Sequence, residues 1–246
     1  ETMNTLSLTI KEKSFNNSHT QVPAIADFNL TITRNQFVCL VGPSGCGKTT
    51  LLNIIAGLDA DFSGTINLTA AGQKPHIGYV FQNPRLLPWR TVRENIELVF
   101  PQLPPHELID SLLAAMQLTD QAQAYPEHLS LGMQRRVAII RAFAINPDIL
   151  LMDEPFVSLD PPTARQIRNA LLALWQQRPH TVLFVSHDLR EAITLADRLI
   201  FLSASPMQAI ADVAVKLTAE QRQDDNAIEN FRRELFIHHP TIHSLL

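Results

Sequence analysis

The sequence predicts an α/β chain with a mostly parallel sheet, an N-terminal antiparallel β region and an inserted α-helical subdomain. Three observations predict it. A continuous apolar run at 37–41 ends in Gly42, as a buried parallel strand does. Strand and helix patterns alternate between 149 and 202. Between these two regions, roughly 84–145 reads as helical throughout.

Residues 6–10 and 28–32 alternate apolar and polar side chains, which predicts edge-type antiparallel strands. The 37–41 strand feeds a helix over 48–56, with Gly57 placed to cap it. Residues 77–81 read as a further strand. In the middle region, 93–100 and 106–118 read as helices, broken by the prolines at 101–105, and Ser130 is placed to N-cap a long helix reaching 145. The later elements are strands at 149–152, 181–185 and 198–202 and helices at 161–176 and 189–196. The tail, from about 206 to 246, offers a strand at 209–215 and a helix at 226–236. The whole of 1–246 reads as one domain.

Composition bounds the function. A hydrophobic fraction of 46% suffices for a full core. A net charge of −4 with no lysine- or arginine-rich run argues against a broad nucleic-acid surface, and no nucleic-acid partner is expected. Two cysteines, Cys39 and Cys46, are too few for a disulfide scaffold and suit a reducing compartment. The first ten residues lack the layout of a signal peptide, and no apolar stretch reaches the length of a membrane span. Work at a membrane therefore requires a partner. His238, His239 and His243 lie among Ile237, Pro240 and Ile242, a pattern of ordinary packing rather than of a metal site.

The chemistry begins at Gly42, Pro43, Ser44, Gly45, Cys46, Gly47, Lys48 and Thr49, which fit G-x-x-x-x-G-K-[ST] without a mismatch, followed by Thr50. Glycines let the backbone wrap a polyphosphate so that successive N–H groups face its oxygens, and the positive end of the next helix adds to this. Lys48 reaches the β- and γ-phosphates, and the Thr49 hydroxyl ligates Mg²⁺. The expected core is thus that of a P-loop NTPase binding Mg-ATP. A bare strand-to-helix turn is the bland alternative, and a second segment counts against it. The apolar strand from 149 ends in Asp153 and Glu154. Asp153 is expected to hold Mg²⁺ through its water shell, and Glu154 to polarise an attacking water.

Three more segments separate this chain from kinases and GTPases. LSLGMQ at 129–134 precedes the acidic strand, Ser158-Leu159-Asp160 follows it, and Ser186-His187-Asp188 ends the next strand. With Gln82 closing YVFQ at 79–82, this order resembles the ATP-binding subunit of ABC transporters over roughly residues 6–205. The resemblance implies roles position by position. Lys48 and Thr49 match the phosphate-loop lysine and threonine, and Asp153 and Glu154 the metal aspartate and catalytic glutamate. Gln82 matches the glutamine that meets Mg²⁺ and the attacking water and senses the membrane partner. His187 matches the histidine on the γ-phosphate. Asp160 matches the aspartate that touches the opposite subunit, and Ser130 and Gly132 the signature residues that clamp the other subunit's ATP. Phe15 lies where the family places an aromatic that stacks on adenine; the competing reading is a core aromatic.

The signature departs from the family's L-S-G-G-Q: Leu131 replaces its first glycine and Met133 its glutamine. Either the neighbouring Gln134 substitutes for the lost ribose contact or hydrolysis is slower. The segments PSGCGKTTLL at 43–52, QNPRLLPW at 82–89 and DEPF at 153–156 resemble the nitrate, sulfonate and taurine importer branch, whose relatives also import thiamine precursors. The resemblance implies a head-to-tail homodimer and integral permease subunits. It also implies a solute-binding protein engaged indirectly, and a peripheral place on the cytoplasmic side of the inner membrane. Arg85 to Trp89 is expected to form part of the groove for the permease. The tail is too short for the regulatory domains some members append. Two rivals remain. A soluble ABC-type ATPase of DNA repair or translation calls for a long coiled coil or tandem nucleotide domains, and a kinase-type enzyme has no use for the signature.

Overall fold

The computed structural model describes residues 4–17, 20–69 and 75–243. The chain forms two compact units: Glu1–Gln73 with Thr181–Leu246, and Lys74–His180.

In the first unit, β1 (Asn4–Asn17), β2 (Thr20–Thr33) and β4 (Ser63–Leu68) form an antiparallel sheet in the order β2-β1-β4. The expected alternation is present: Leu6, Leu8 and Ile10 pair with Ile32, Leu30 and Phe28, and all six are buried. One expectation is corrected. The 6–10 segment is the middle strand rather than an edge, because one-sided alternation marks any antiparallel strand with one wet face. Register shifts fall between Ile10 and Glu12 against β4 and between Lys13 and Ser14 against β2. Such irregularities re-aim side chains, and here Lys13 turns inward.

The same unit holds β3 (Phe37–Val41), parallel to both β7 (Thr181–Ser186) and β8 (Arg198–Leu202), with β9 (Ala209–Ala214) antiparallel to β8. Its helices are α1 (Lys48–Ile55), α6 (Leu189–Leu195), α7 (Asp225–His238) and the short α8 (Pro240–His243). Gly57 follows α1 in the left-handed region, where it donates to the Ile54 carbonyl. The tail is tied down by Arg222, whose Nη1 donates to the carbonyls of Ile193, Thr194 and Ala196 at the end of α6.

The second unit pairs β5 (Ile77–Val80) in parallel with β6 (Ile149–Asp153). Its helices are α2 (Val92–Glu97), α3 (His106–Ala115), α4 (Leu131–Ala144) and α5 (Pro161–Gln177). Two of them end earlier than expected. Helix α2 stops at Glu97, and α3 stops before Gln117 takes a φ of 55°. The core of this unit gathers Ile96, Ile109, Leu112, Leu113, Val137, Ile140 and Phe143. No described helix is long and apolar enough to cross a membrane.

Candidate functional site

In the first unit the fully buried β3 delivers the chain into the 42–47 loop. Gly45 and Gly47 have φ of 76° and 113°, a region that a Cβ makes costly. Gly47 is also the N-cap of α1. With no side-chain acceptor at the cap and no acidic residue in the first turn, the positive end of the helix dipole favours an anion. The Lys48 Nζ donates to the Gly42 and Pro43 carbonyls at 2.8 and 2.9 Å, so the buried side chain lies along the loop. Thr49 and Ser44 are exposed, and Pro43 and Thr50 are half-buried. Cys39 and Cys46 are buried and form no disulfide, and burial pushes the Cys39 thiol well above its ordinary range.

His187 follows β7 and is exposed. Capping of α6 falls to Asp188, whose Oδ1 accepts from the Arg190 and Glu191 amides at 2.8 and 3.2 Å. The Ser186 hydroxyl accepts from the Asp188 amide and donates to the Glu191 carboxylate. The turn is therefore fixed by residues on either side of His187. Phe15, near the far end of β1, is 47% exposed and pairs with the exposed Val22, so it is not a core aromatic.

In the second unit β6 ends at Asp153, a carboxylate 3% exposed. Glu154 follows with a φ of 43°, a strained conformation for a residue with a Cβ and one that clusters at functional sites. Ser158 is also left-handed, at 63°. Asp160 caps α5: its Oδ1 accepts from the Thr163 amide at 3.0 Å, and hydrogen bonding to Thr163 holds its carboxyl below the usual range.

Ser130 N-caps α4 as expected, its Oγ accepting from the Met133 amide at 3.2 Å. A Cβ on Gly132 would lie 2.6 Å from the Thr163 methyl, so glycine is needed there for α4 to sit against the start of α5. Gln134 donates to the Pro126 and Leu129 carbonyls at 3.0 and 3.3 Å, tying down the turn that precedes the signature. That amide is committed within its own unit, which argues against Gln134 as the substitute for Met133. Leu131 is exposed.

Gln82 is exposed and opens the 82–90 segment. Fully buried Asn95 holds this segment. Its Nδ2 donates to the Leu87, Arg90 and Thr91 carbonyls, and its Oδ1 accepts from the Leu87 amide. Arg141 of α4 donates to the Pro84 and Arg85 carbonyls. Trp89 is 69% exposed and Leu86 half-buried. Sequence reasoning missed Asn95, Arg141, Thr163 and Lys13. The one local sign was a polar Asn95 between apolar Val92 and Ile96 on one helix face. The three histidines of the tail join no cluster of metal ligands among the described residues, and His243 instead packs edge-on against Phe236.

A glycine loop left-handed at two positions, a helix start that favours an anion and an acidic strand end together define a nucleoside triphosphatase of the P-loop class. A family model described as ABC transporter matches residues 25–157. The aliphatic sulfonates import ATP-binding protein SsuB of Bacillus licheniformis is 36% identical over 235 residues, covering 94% of this chain and 92% of that protein. The nitrate import ATP-binding protein NrtD of Synechocystis sp. is 38% identical over 251 residues, covering 98% and 94%. Among solved structures, the dimeric ATP-binding cassette MJ0796 bound to ADP and Pi matches with a TM-score of 0.74 at 30% identity, covering 87% of this chain and 100% of that one. The chain belongs to the ABC transporter family, as an ATP-binding subunit that hydrolyses ATP.

Proposed function

We propose that this chain drives import of a small solute, of the nitrate, sulfonate or taurine kind or a thiamine precursor, by hydrolysing Mg-ATP against a membrane permease. The printed names of the relatives support the solute class. The observation that carries the nucleotide reading is the 42–48 loop, with Gly45 and Gly47 left-handed and the start of α1 left without a side-chain cap. In this reading the amides of Gly42, Ser44, Gly45, Cys46 and Gly47, with Lys48 and Thr50, hold the phosphates, and Pro43, which has no N–H to donate, shapes the loop. Phe15 receives the adenine.

Mg²⁺ fits the residues present: the Asp153 carboxylate, the Thr49 hydroxyl and the Gln82 carbonyl are the hard oxygen donors it prefers. When bound it neutralises charge on the phosphate oxygens. Glu154 takes a proton from water as the water oxygen bonds to the γ-phosphorus and the bond to the β–γ bridging oxygen breaks, giving ADP and phosphate. Gln82 orients that water, and His187 bonds the γ-phosphate.

Ser130, Gly132 and Asp160 act on the nucleotide of a second copy, in a head-to-tail dimer that closes on ATP and opens after hydrolysis. The dimeric state of MJ0796 supports this. The subunit works at the cytoplasmic face of the inner membrane as a peripheral component. A solute-binding protein acts through the permease, and no nucleic acid takes part.

Glu154→Gln tests the reading. ATP affinity stays within about twofold, while turnover falls on the order of 10² to 10³-fold. ATP alone then yields a dimer visible by light scattering. Near-normal turnover with the permease present would falsify the assignment of Glu154.

A further inference from the structure

Lys13 is a lysine where a lysine is costly. Its side chain is 3% exposed, in the antiparallel sheet of the first unit between the register shifts at Ile10/Glu12 and Lys13/Ser14 of β1. Its Nζ donates to the Asp59 carboxylate at 3.0 Å, the Asp61 carbonyl at 2.6 Å and the Asp61 carboxylate at 3.3 Å. Burial works against the charge, and the bonds to the two aspartates more than offset it, leaving the ammonium above the usual lysine range. Replacing a buried ion pair by apolar side chains is often neutral or stabilising for a fold. Stability alone therefore gives weak grounds for a lysine here.

Two neighbours give better grounds. Nζ lies 5.0 Å from the centroid of the Phe15 ring, within cation–π range. The two aspartates lie just beyond α1, where the amides of Leu58 and Asp59 both bond to the Asn53 carbonyl. Helix α1 starts at the phosphate loop, and the Asn53 carbonyl in its last turn holds the segment that leads to the anchor of Lys13. One ammonium thus ties the strand carrying Phe15 to the helix carrying the loop. We propose that Lys13 is a positioning residue for the base of the nucleotide, holding Phe15 at a fixed place relative to the phosphate loop.

This rests on the reading that Phe15 receives adenine, and the test separates the two. Affinities of the full chain for ATP and for inorganic tripolyphosphate are measured by calorimetry. Tripolyphosphate reads the loop alone, and the difference between the two ligands reads the base. Phe15→Ala is expected to weaken ATP roughly five- to tenfold and leave tripolyphosphate unchanged. Lys13→Met is expected to do the same. The double variant is expected to be no worse than either single one, and Lys13→Arg to keep most of the ATP affinity.

Lys13→Met weakening both ligands equally shows a merely structural role and overturns the proposal. So does Lys13→Met leaving ATP unaffected while Phe15→Ala weakens it. An unaffected Phe15→Ala sinks the adenine reading itself and the proposal with it. If Lys13→Met does not fold, Asp59→Ala with Asp61→Ala removes both carboxylates from their more exposed side and leaves only the Asp61 carbonyl to hold Nζ, and a smaller but equally selective loss of ATP is expected. ATP affinity in that variant equal to the parent chain's, or an equal loss for both ligands, overturns the proposal.

Discussion

Gly132→Ala tests whether the signature glycine is there for packing as well as for an unhindered N–H. The added Cβ would stand 2.6 Å from the Thr163 methyl, about 1 Å inside a normal carbon–carbon contact. Thr163 is β-branched and sits in the first turn of α5, with its amide held by Asp160, so it yields poorly. Overpacking of this kind costs about 1 to 3 kcal/mol, which lowers Tm by roughly 2 to 10 °C in a chain of this size. Thr163→Ser deletes the methyl and keeps the amide bonded to Asp160. The double variant Gly132→Ala with Thr163→Ser is therefore expected to recover most of the lost stability, with a coupling of about 1 kcal/mol or more. Differential scanning calorimetry of the four chains reads this directly. ATP turnover by the assembled transporter, measured alongside, separates packing from phosphate contact. If Gly132→Ala leaves Tm unchanged, or Thr163→Ser gives no rescue, the glycine is not there for packing.

Two further outcomes follow from the second unit. Leu86→Ser with Trp89→Ala is expected to leave ATP binding and Tm of the isolated chain unchanged while weakening assembly with the permease or uncoupling transport from hydrolysis; unfolding of the isolated chain would show a core role instead. His180 is buried edge-on against Phe143, and burial, with Arg178 adding, pushes its pKa down to about 4 from an ordinary 6.5. The unfolded chain takes up this proton as pH falls below 6.5 and the folded chain only near 4, so stability is lost over that window, by roughly 2 kcal/mol after allowance for solvent screening. His180→Phe should remove that part of the slope in pH-dependent urea denaturation, and an unchanged slope would refute the assignment.

Legibility in the sequence followed the range of the forces involved. The phosphate loop was readable because its backbone needs glycine at Gly45 and Gly47, a demand visible within eight residues. The Ser130 cap was readable for the same reason, since its partner amide is three positions away. Strand β4 was not readable: Ser63, Gly64 and Thr65 are exposed, and what makes the segment a strand is its pairing with β1. Lys13 gave no local sign, because the aspartates that bury it lie 46 and 48 positions away. The choice left open at Gln134 was not readable either, because only the folded turn at 126–129 presents the two carbonyls it binds.

The way the 82–90 segment is held bears on how a push from a membrane partner would travel through the second unit. An exposed loop resting on apolar contacts alone can slide. This one is bonded through its own backbone to two helices, by Asn95 of α2 and Arg141 of α4. Each buried polar group left without its partner costs about 1 to 3 kcal/mol, and Asn95 makes three bonds to this loop, at Leu87 and Arg90. Peeling the loop from α2 thus costs more than moving the two together. Helix α4 carries Arg141 at one end and Ser130 at the other, and a helix transmits displacement along its axis with little loss. A push on Trp89 is therefore expected to reach the Ser130 cap by movement of the anchored elements together rather than through a chain of side-chain rearrangements. That is why the polar anchors Asn95 and Arg141, rather than the exposed apolar residues they support, are the positions where a conservative change should uncouple the loop from the signature.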